Sequence, residues 1–147
     1  MAIINLWNKV KVSADKIVEI IAPKVSTTGL GNQQRIFSYY WMLLLIEIHR
    51  RGWVVQIGEM ERNSVAQQLM FEAGKSKVKG DGTGFHERRL AGDLARVETA
   101  PGIAATSSQM KELGDFWEGL DKLNSWGGYF TSIKDEPHFS YGGERRR

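Results

Sequence analysis

Three residues in this chain have types and spacing that suit a shared metal ion. They are His86, Asp93 seven residues later, and His138 within Asp135-Glu136-Pro137-His138-Phe139. The chain has three histidines and no cysteine. Thiolate ligands are therefore excluded, and any metal must be held by His, Asp, Glu or water. Two imidazoles and one carboxylate match a catalytic zinc site that keeps one position open for water. They leave such a site with net positive charge, which polarises a carbonyl and lowers the pKa of water. Asp135 stands three residues before His138 and is the candidate general base and acid. Arg62 follows an expected strand, where a fixed guanidinium could grip a carboxylate or an oxyanion. Each part alone is a weak signal, since a lone buried histidine is more often a satisfied core residue.

The elements that must position these groups can be read from the pattern. A continuous aromatic and apolar stretch predicts a buried central helix from about Gln33 to Arg51, with Asn32 as N-cap and Gly52 just past its end. His49 falls in its last turn, where it complements the helix dipole and is no ligand. Trp53–Ile57 alternates and is β-branched, which predicts a strand. Asn63 or Ser64 caps a short helix over 65–73, stopped by Gly74. Residues 75–84 form a loop rich in glycine and lysine. It follows a helix and precedes a strand, the wrong order for a P-loop, so nucleotide binding is discounted. Leu90–Val97 is a second expected strand and 98–105 a loop. Ser107 or Ser108 caps a helix over 109–120, and 123–130 is a turn with a short strand or bend. His138–Tyr141 is a last strand, with Pro137 at its start where a missing N–H is tolerated. The fold class this predicts is α+β: a small antiparallel sheet with helices packed around it and the zinc site at the sheet face.

Length and composition set outer limits. A chain of 147 residues is one domain by size and can bury a core without staples. Its net charge of +3 is too weak to argue for nucleic acid. Residues 1–35 carry five basic and two acidic residues, an excess equal to that of the whole chain. Leu6, Trp7, Val10, Ala14, Ile17, Val18 and Ile21 recur at helical spacing, which predicts an amphipathic helix over 5–21. Residues 1–31 are accordingly an N-terminal helix and linker, and 32–147 the domain proper. The basic helix could make weak contact with an envelope or membrane surface, although an apolar stripe is more often core. The longest apolar run is too short to span a bilayer, and the N-terminus lacks the layout of a secretory signal.

Taken in order, four segments resemble the zinc peptidases of the D-alanyl-D-alanine carboxypeptidase and L-alanyl-D-glutamate endopeptidase family. That family includes the vancomycin-resistance dipeptidases and many phage endolysins. The first segment is Glu59-Met60-Glu61-Arg62-Asn63-Ser64-Val65-Ala66-Gln67-Gln68, similar to the family's arginine segment. The second is Gly74-Lys75-Ser76-Lys77 followed by His86 and Asp93, like its first metal motif. The third, Leu113-Gly114-Asp115-Phe116-Trp117 with Trp126-Gly127-Gly128-Tyr129-Phe130, resembles the endolysin branch. The fourth, Asp135-Glu136-Pro137-His138-Phe139, resembles its acid-x-x-His motif. The resemblance runs from about Gln33 to Tyr141. It implies one zinc ion on His86, Asp93 and His138, with Asp135 as catalytic acid and base. It also implies Arg62 at the substrate or transition state, and Gln67 and Trp126 as further substrate contacts. The family usually has Ser two residues before its first metal His, where this chain has Gly84. Thr83 is the candidate to supply that hydroxyl.

The function expected on these grounds is hydrolysis of bacterial peptidoglycan stem peptides at the L-Ala–D-Glu bond, as a phage endolysin. The enzyme would be a monomer in the host cytoplasm without a signal peptide, acting on the wall after release. The alternatives are D-Ala–D-Ala carboxypeptidase chemistry at the same site, or a peptidoglycan-binding module that does not cut. A membrane-active protein working through residues 5–21 is a third class.

Overall fold

A computed structural model describes Ser26 and residues 28–144. The helix expected over 5–21 lies outside the described residues. Those that are described form three helices and five strands, in the α+β arrangement that the pattern predicts.

Helix α1 spans Leu30–Arg50. It starts earlier than expected, with Gly29 rather than Asn32 as its N-cap. Asn32 lies inside the first turn, where its amide donates back to the Thr28 carbonyl at 2.9 Å. At the other end Gly52 takes φ 75°, and its N–H and that of Trp53 donate to His49 and Ile48 carbonyls. That closes the helix as glycine does after a C-terminus.

Strand β1 (Val54–Ile57) and helix α2 (Ser64–Glu72) follow, α2 being capped by the Asn63 side chain accepting from the Ala66 N–H. Strand β2 runs over Ala91–Ala100, and β3 over Ile103–Ala104. The loop expected over 98–105 is thus a hairpin. Pro101 presets the first central position of a tight turn and Gly102, at φ 75°, takes the second. Helix α3 spans Ser107–Leu120. Its cap is Thr106, one residue before the expected serines, because Gln109 completes a reciprocal capping box with it. Strand β4 (Asn124–Trp126), a 3-10 turn (Gly127–Tyr129) and strand β5 (His138–Tyr141) complete the chain.

The sheet is antiparallel with strand order β1-β2-β5-β4, and β3 pairs with β2. Helices α1 and α3 pack together, α1 also against β1 and β5 and α3 against β4. Trp117 is the centre of the core, fully buried. Phe37, Tyr40, Trp41 and Phe139 meet it edge-on at 5.9–6.4 Å between ring centroids. Its indole N–H donates to the Ser140 carbonyl at 3.0 Å, so burial leaves no polar cost. Gly114 is required for this packing: a Cβ there would lie 2.2 Å from the Trp126 ring. The β2–β5 pair packed in this way carries two of the three candidate ligands.

Candidate metal centre

Asp93 and His138 are direct cross-strand partners on β2 and β5. Opposed residues of an antiparallel pair project to the same face with neighbouring side chains. The register therefore brings two groups 45 positions apart in sequence to one point. Backbone bonds fix it on both flanks: Asp93 N–H donates to Glu59 O at 2.9 Å and Leu94 N–H to Pro137 O at 2.9 Å.

His86 arrives from outside the sheet, on the turn over residues 85–89 that leads into β2. Arg89 sits at φ 54°, a left-handed conformation rare for a residue with a side chain. It lets Leu90 N–H reach back to Phe85 O at 2.8 Å and close the turn. The His86 carbonyl accepts from Arg89 N–H at 3.2 Å and Arg62 N–H at 3.4 Å. Glu87 accepts from the N–H groups of Gly82 and Gly84, both at 3.0 Å. The glycine loop is thereby tied to the turn that carries the histidine.

The three side chains converge. His86 Nε2 lies 3.1 Å from His138 Nδ1 and 3.2 Å from Asp93 Oδ1, and His138 Nδ1 lies 3.4 Å from the same oxygen. Both imidazoles are buried. Asp93 Oδ1 makes no hydrogen bond of good geometry, and neither does His86 Nδ1. Where the facing nitrogens carry lone pairs, three acceptor atoms aimed at one point cannot satisfy one another. A cation at that point satisfies all three, so the cluster could hold a metal ion.

A proton can stand in for that cation. Burial pushes the Asp93 carboxyl up, but the His138 and His86 imidazoles outweigh this and hold it well below the usual carboxylate range. Burial alone would lower His138; the Asp93 and Glu144 carboxylates on its two sides reverse this and push it up to about 9. Asp135 is pushed up. The crowding of protein around its carboxylate is the main cause, opposed by His138 and reinforced by Asp93. Water still reaches the residue.

The centre opens into a cleft of about 80 Å³, lined among others by Arg62, Ser76, Phe130, Ile133 and Asp135. Asp135 reaches it from the loop before β5, held by its own N–H to Gly127 O at 2.9 Å. Gly127 allows that contact, because a Cβ there would lie 2.2 Å from the Asp135 carbonyl. Arg62 is braced rather than loose. Its Nε donates to both Glu59 oxygens at 3.0 Å, its Nη2 to Glu59, and its Nη1 to Gln67 Oε1 at 2.9 Å.

The residues expected to touch substrate also carry structural bonds. Gln67 lines the cleft but is buried and fully engaged, accepting from Arg62 and donating to Ser76 Oγ and Val78 O. It braces the arginine and the loop. Trp126 is a core residue whose indole N–H holds the Glu136 carbonyl at 2.8 Å, so it supports the loop of Asp135 from below. Thr83 is exposed, bonds Asp81 at 2.5 Å and does not line the cleft. Where the resemblance leads one to expect serine, a Cβ on Gly84 would lie 2.7 Å from the Glu87 Oε2.

Two residues that the pattern does not single out belong to this region. Glu59 aligns Arg62, and Glu144 lies 2.7 Å from His138 Nε2 with its side chain buried. The chain matches no protein-family model and no curated protein.

Proposed function

We propose that this chain is a zinc peptidase that hydrolyses peptidoglycan stem peptides at the L-Ala–D-Glu bond, in the setting of phage lysis. The observation that carries the reading is the triangle of His86 Nε2, Asp93 Oδ1 and His138 Nδ1, with edges of 3.1–3.4 Å. Zinc bonds of 2.0–2.2 Å in a tetrahedron place ligand atoms about 3.3–3.5 Å apart. The donor set, two nitrogens and one carboxylate oxygen, also suits zinc over calcium or magnesium, which favour oxygen ligands. The four segments that resemble the peptidase family contain these same residues, with Asp135 and Arg62 in the same cleft.

A zinc ion bound there would act as a Lewis acid on a substrate carbonyl and make water more acidic. The chain's own groups supply the rest. Asp135, whose carboxyl is pushed up mainly by the protein around it, accepts a proton from the attacking water. It then returns that proton to the departing amine. Arg62 has five N–H donors, and its bonds to Glu59 and Gln67 leave part of that fork for a carboxylate or an oxyanion. Phe130 and Ile133 add apolar lining to the cleft.

The test is mass spectrometry of purified peptidoglycan after incubation with the protein, with zinc or with a chelator. New D-Glu amino ends, absent under chelation, are the expected result. Release of a single terminal D-Ala would keep the chemistry and move the substrate to that of a carboxypeptidase. No product across several wall types would overturn the enzyme and leave a binding module.

A further inference from the structure

His138 has two ring nitrogens, and each meets a different part of the protein. Nδ1 faces His86 and Asp93, while Nε2 lies 2.7 Å from Glu144 Oε2. The Glu144 side chain is only 6% exposed, the same as that of His138. A buried ionised carboxylate can only accept hydrogen bonds. The proton of a neutral His138 must then sit on Nε2, which leaves Nδ1 bare and aimed at the other two ligand atoms.

The local sequence is built to bring this carboxylate back. Strand β5 ends at Tyr141, and Gly142 and Gly143 follow at φ 117° and 84°. Two successive positive φ values are accessible to glycine and strained for other residues. Both N–H groups donate to the Leu123 carbonyl, at 3.0 and 2.8 Å. The chain is thus reversed within two residues, and Glu144 is delivered beneath the ring six positions behind it. The other imidazole has no such brace, since His86 Nδ1 lacks a hydrogen-bond partner among the described residues.

We infer that Glu144 is a positioning residue of the metal centre, which fixes His138 in the Nε2–H tautomer and presents its Nδ1 to the ion. The inference rests on the metal-centre reading of His86, Asp93 and His138, not on the substrate. Outer partners of this kind are worth 10–100-fold in metal affinity. They also raise the donor strength of the ring by drawing on its distal proton.

The experiment titrates metal-free full-length protein with Zn²⁺ against a chromogenic chelator, for wild type, Glu144→Gln and Glu144→Ala. Nitrogen-15 NMR of the zinc-loaded rings accompanies it. The expected result is zinc affinity about 10–100-fold weaker in Glu144→Ala, with a smaller loss in Glu144→Gln, whose amide oxygen can still accept. The His138 Nε2–H proton should resonate far downfield in wild type and move upfield in both variants. Should Glu144→Ala fail to fold, Glu144→Gln and the wild-type ring spectrum carry the test alone. Zinc affinity within twofold of wild type in a folded variant would overturn the inference while leaving the metal centre intact. So would a wild-type spectrum with the proton on Nδ1. Absence of zinc binding by wild type would overturn the metal centre itself, and the inference with it.

Discussion

Two carboxylates, the buried Glu47 and the half-buried Asp93, contrast a structural ion cluster with a candidate site. Glu47, near the end of α1, is 5% exposed. Its oxygens accept from Arg50 Nε and Nη2 at 2.7 and 2.9 Å and from Arg51 Nε at 2.8 Å. Arg51 continues to Glu112 at 2.5 Å. Every buried atom has its donor, and opposite charges balance within the chain. Asp93 is also held below the ordinary carboxylate range, but by two imidazoles, which unlike arginines can give up a proton and offer a lone pair instead. A carboxylate closed by arginines is a finished ion cluster. One that meets two imidazoles can be completed by a cation in place of a proton, and that separates a candidate site from a structural network.

The sharpest way to break this contrast is to remove each carboxylate in turn. Asp93→Ala should abolish hydrolysis of stem peptides and weaken zinc by more than about 100-fold, since a ligand is worth more than an outer partner. Glu47→Gln should leave zinc affinity within twofold of wild type in the same competition titration. Next in size, Asp135→Asn should lower turnover by about 10²–10⁴-fold, the usual worth of a positioned acid and base. Its zinc affinity should stay within a few-fold, which separates proton transfer from metal holding.

Zinc itself should then discriminate the two regions by heat. At about 1,000-fold excess over its Kd a ligand adds about 4 kcal/mol, or roughly 10 °C of Tm for a chain of this size. Calorimetry should show that rise in wild type and in Glu47→Gln, reversed by a chelator, and none in His138→Ala.

The smallest effect is expected at the finished cluster. Glu47→Gln should cost about 1–3 kcal/mol at neutral pH by leaving arginine donors poorly matched. For Glu47, burial pushes the carboxyl up, but the bonds from Arg50 and Arg51 outweigh it and leave the folded-state pKa lowered. A lowered folded value means stabilisation that is present above the unfolded pKa of about 4.3 and lost as pH falls through the folded value. Urea unfolding at stepped pH should therefore show the wild-type advantage over Glu47→Gln shrinking below about pH 4. A constant advantage down to pH 2 would contradict the ion-cluster account.

Much of this frame is legible in the sequence. Helices α1 and α3 and strand β5 show through because their apolar runs or stripes and the turn residues around them agree. The three candidate ligands show through in the order of four segments that resemble the peptidase family, since a His and an Asp seven apart are a weak signal alone. The hairpin at Ala100-Pro101-Gly102-Ile103 hides because Glu98 and Thr99 look like loop residues. Their strand is specified by a two-residue turn and by pairing with β1 and β3. Glu144 hides for a related reason. Nothing in a Gly-Gly-Glu sequence says where the carboxylate lands until the Leu123 carbonyl fixes the reversal. Gln67 and Trp126 fall in the right segments, but hydrogen bonds decide their roles, and those bonds brace the cleft rather than reach into it.

The most direct test of the central claim is metal analysis of the purified protein after equilibration with Zn²⁺, for wild type and for a variant with His86, Asp93 and His138 all changed to Ala. One tightly held equivalent in wild type and none in the variant is the result this account predicts. No stoichiometric zinc in wild type, or an equivalent that survives in the variant, would contradict it.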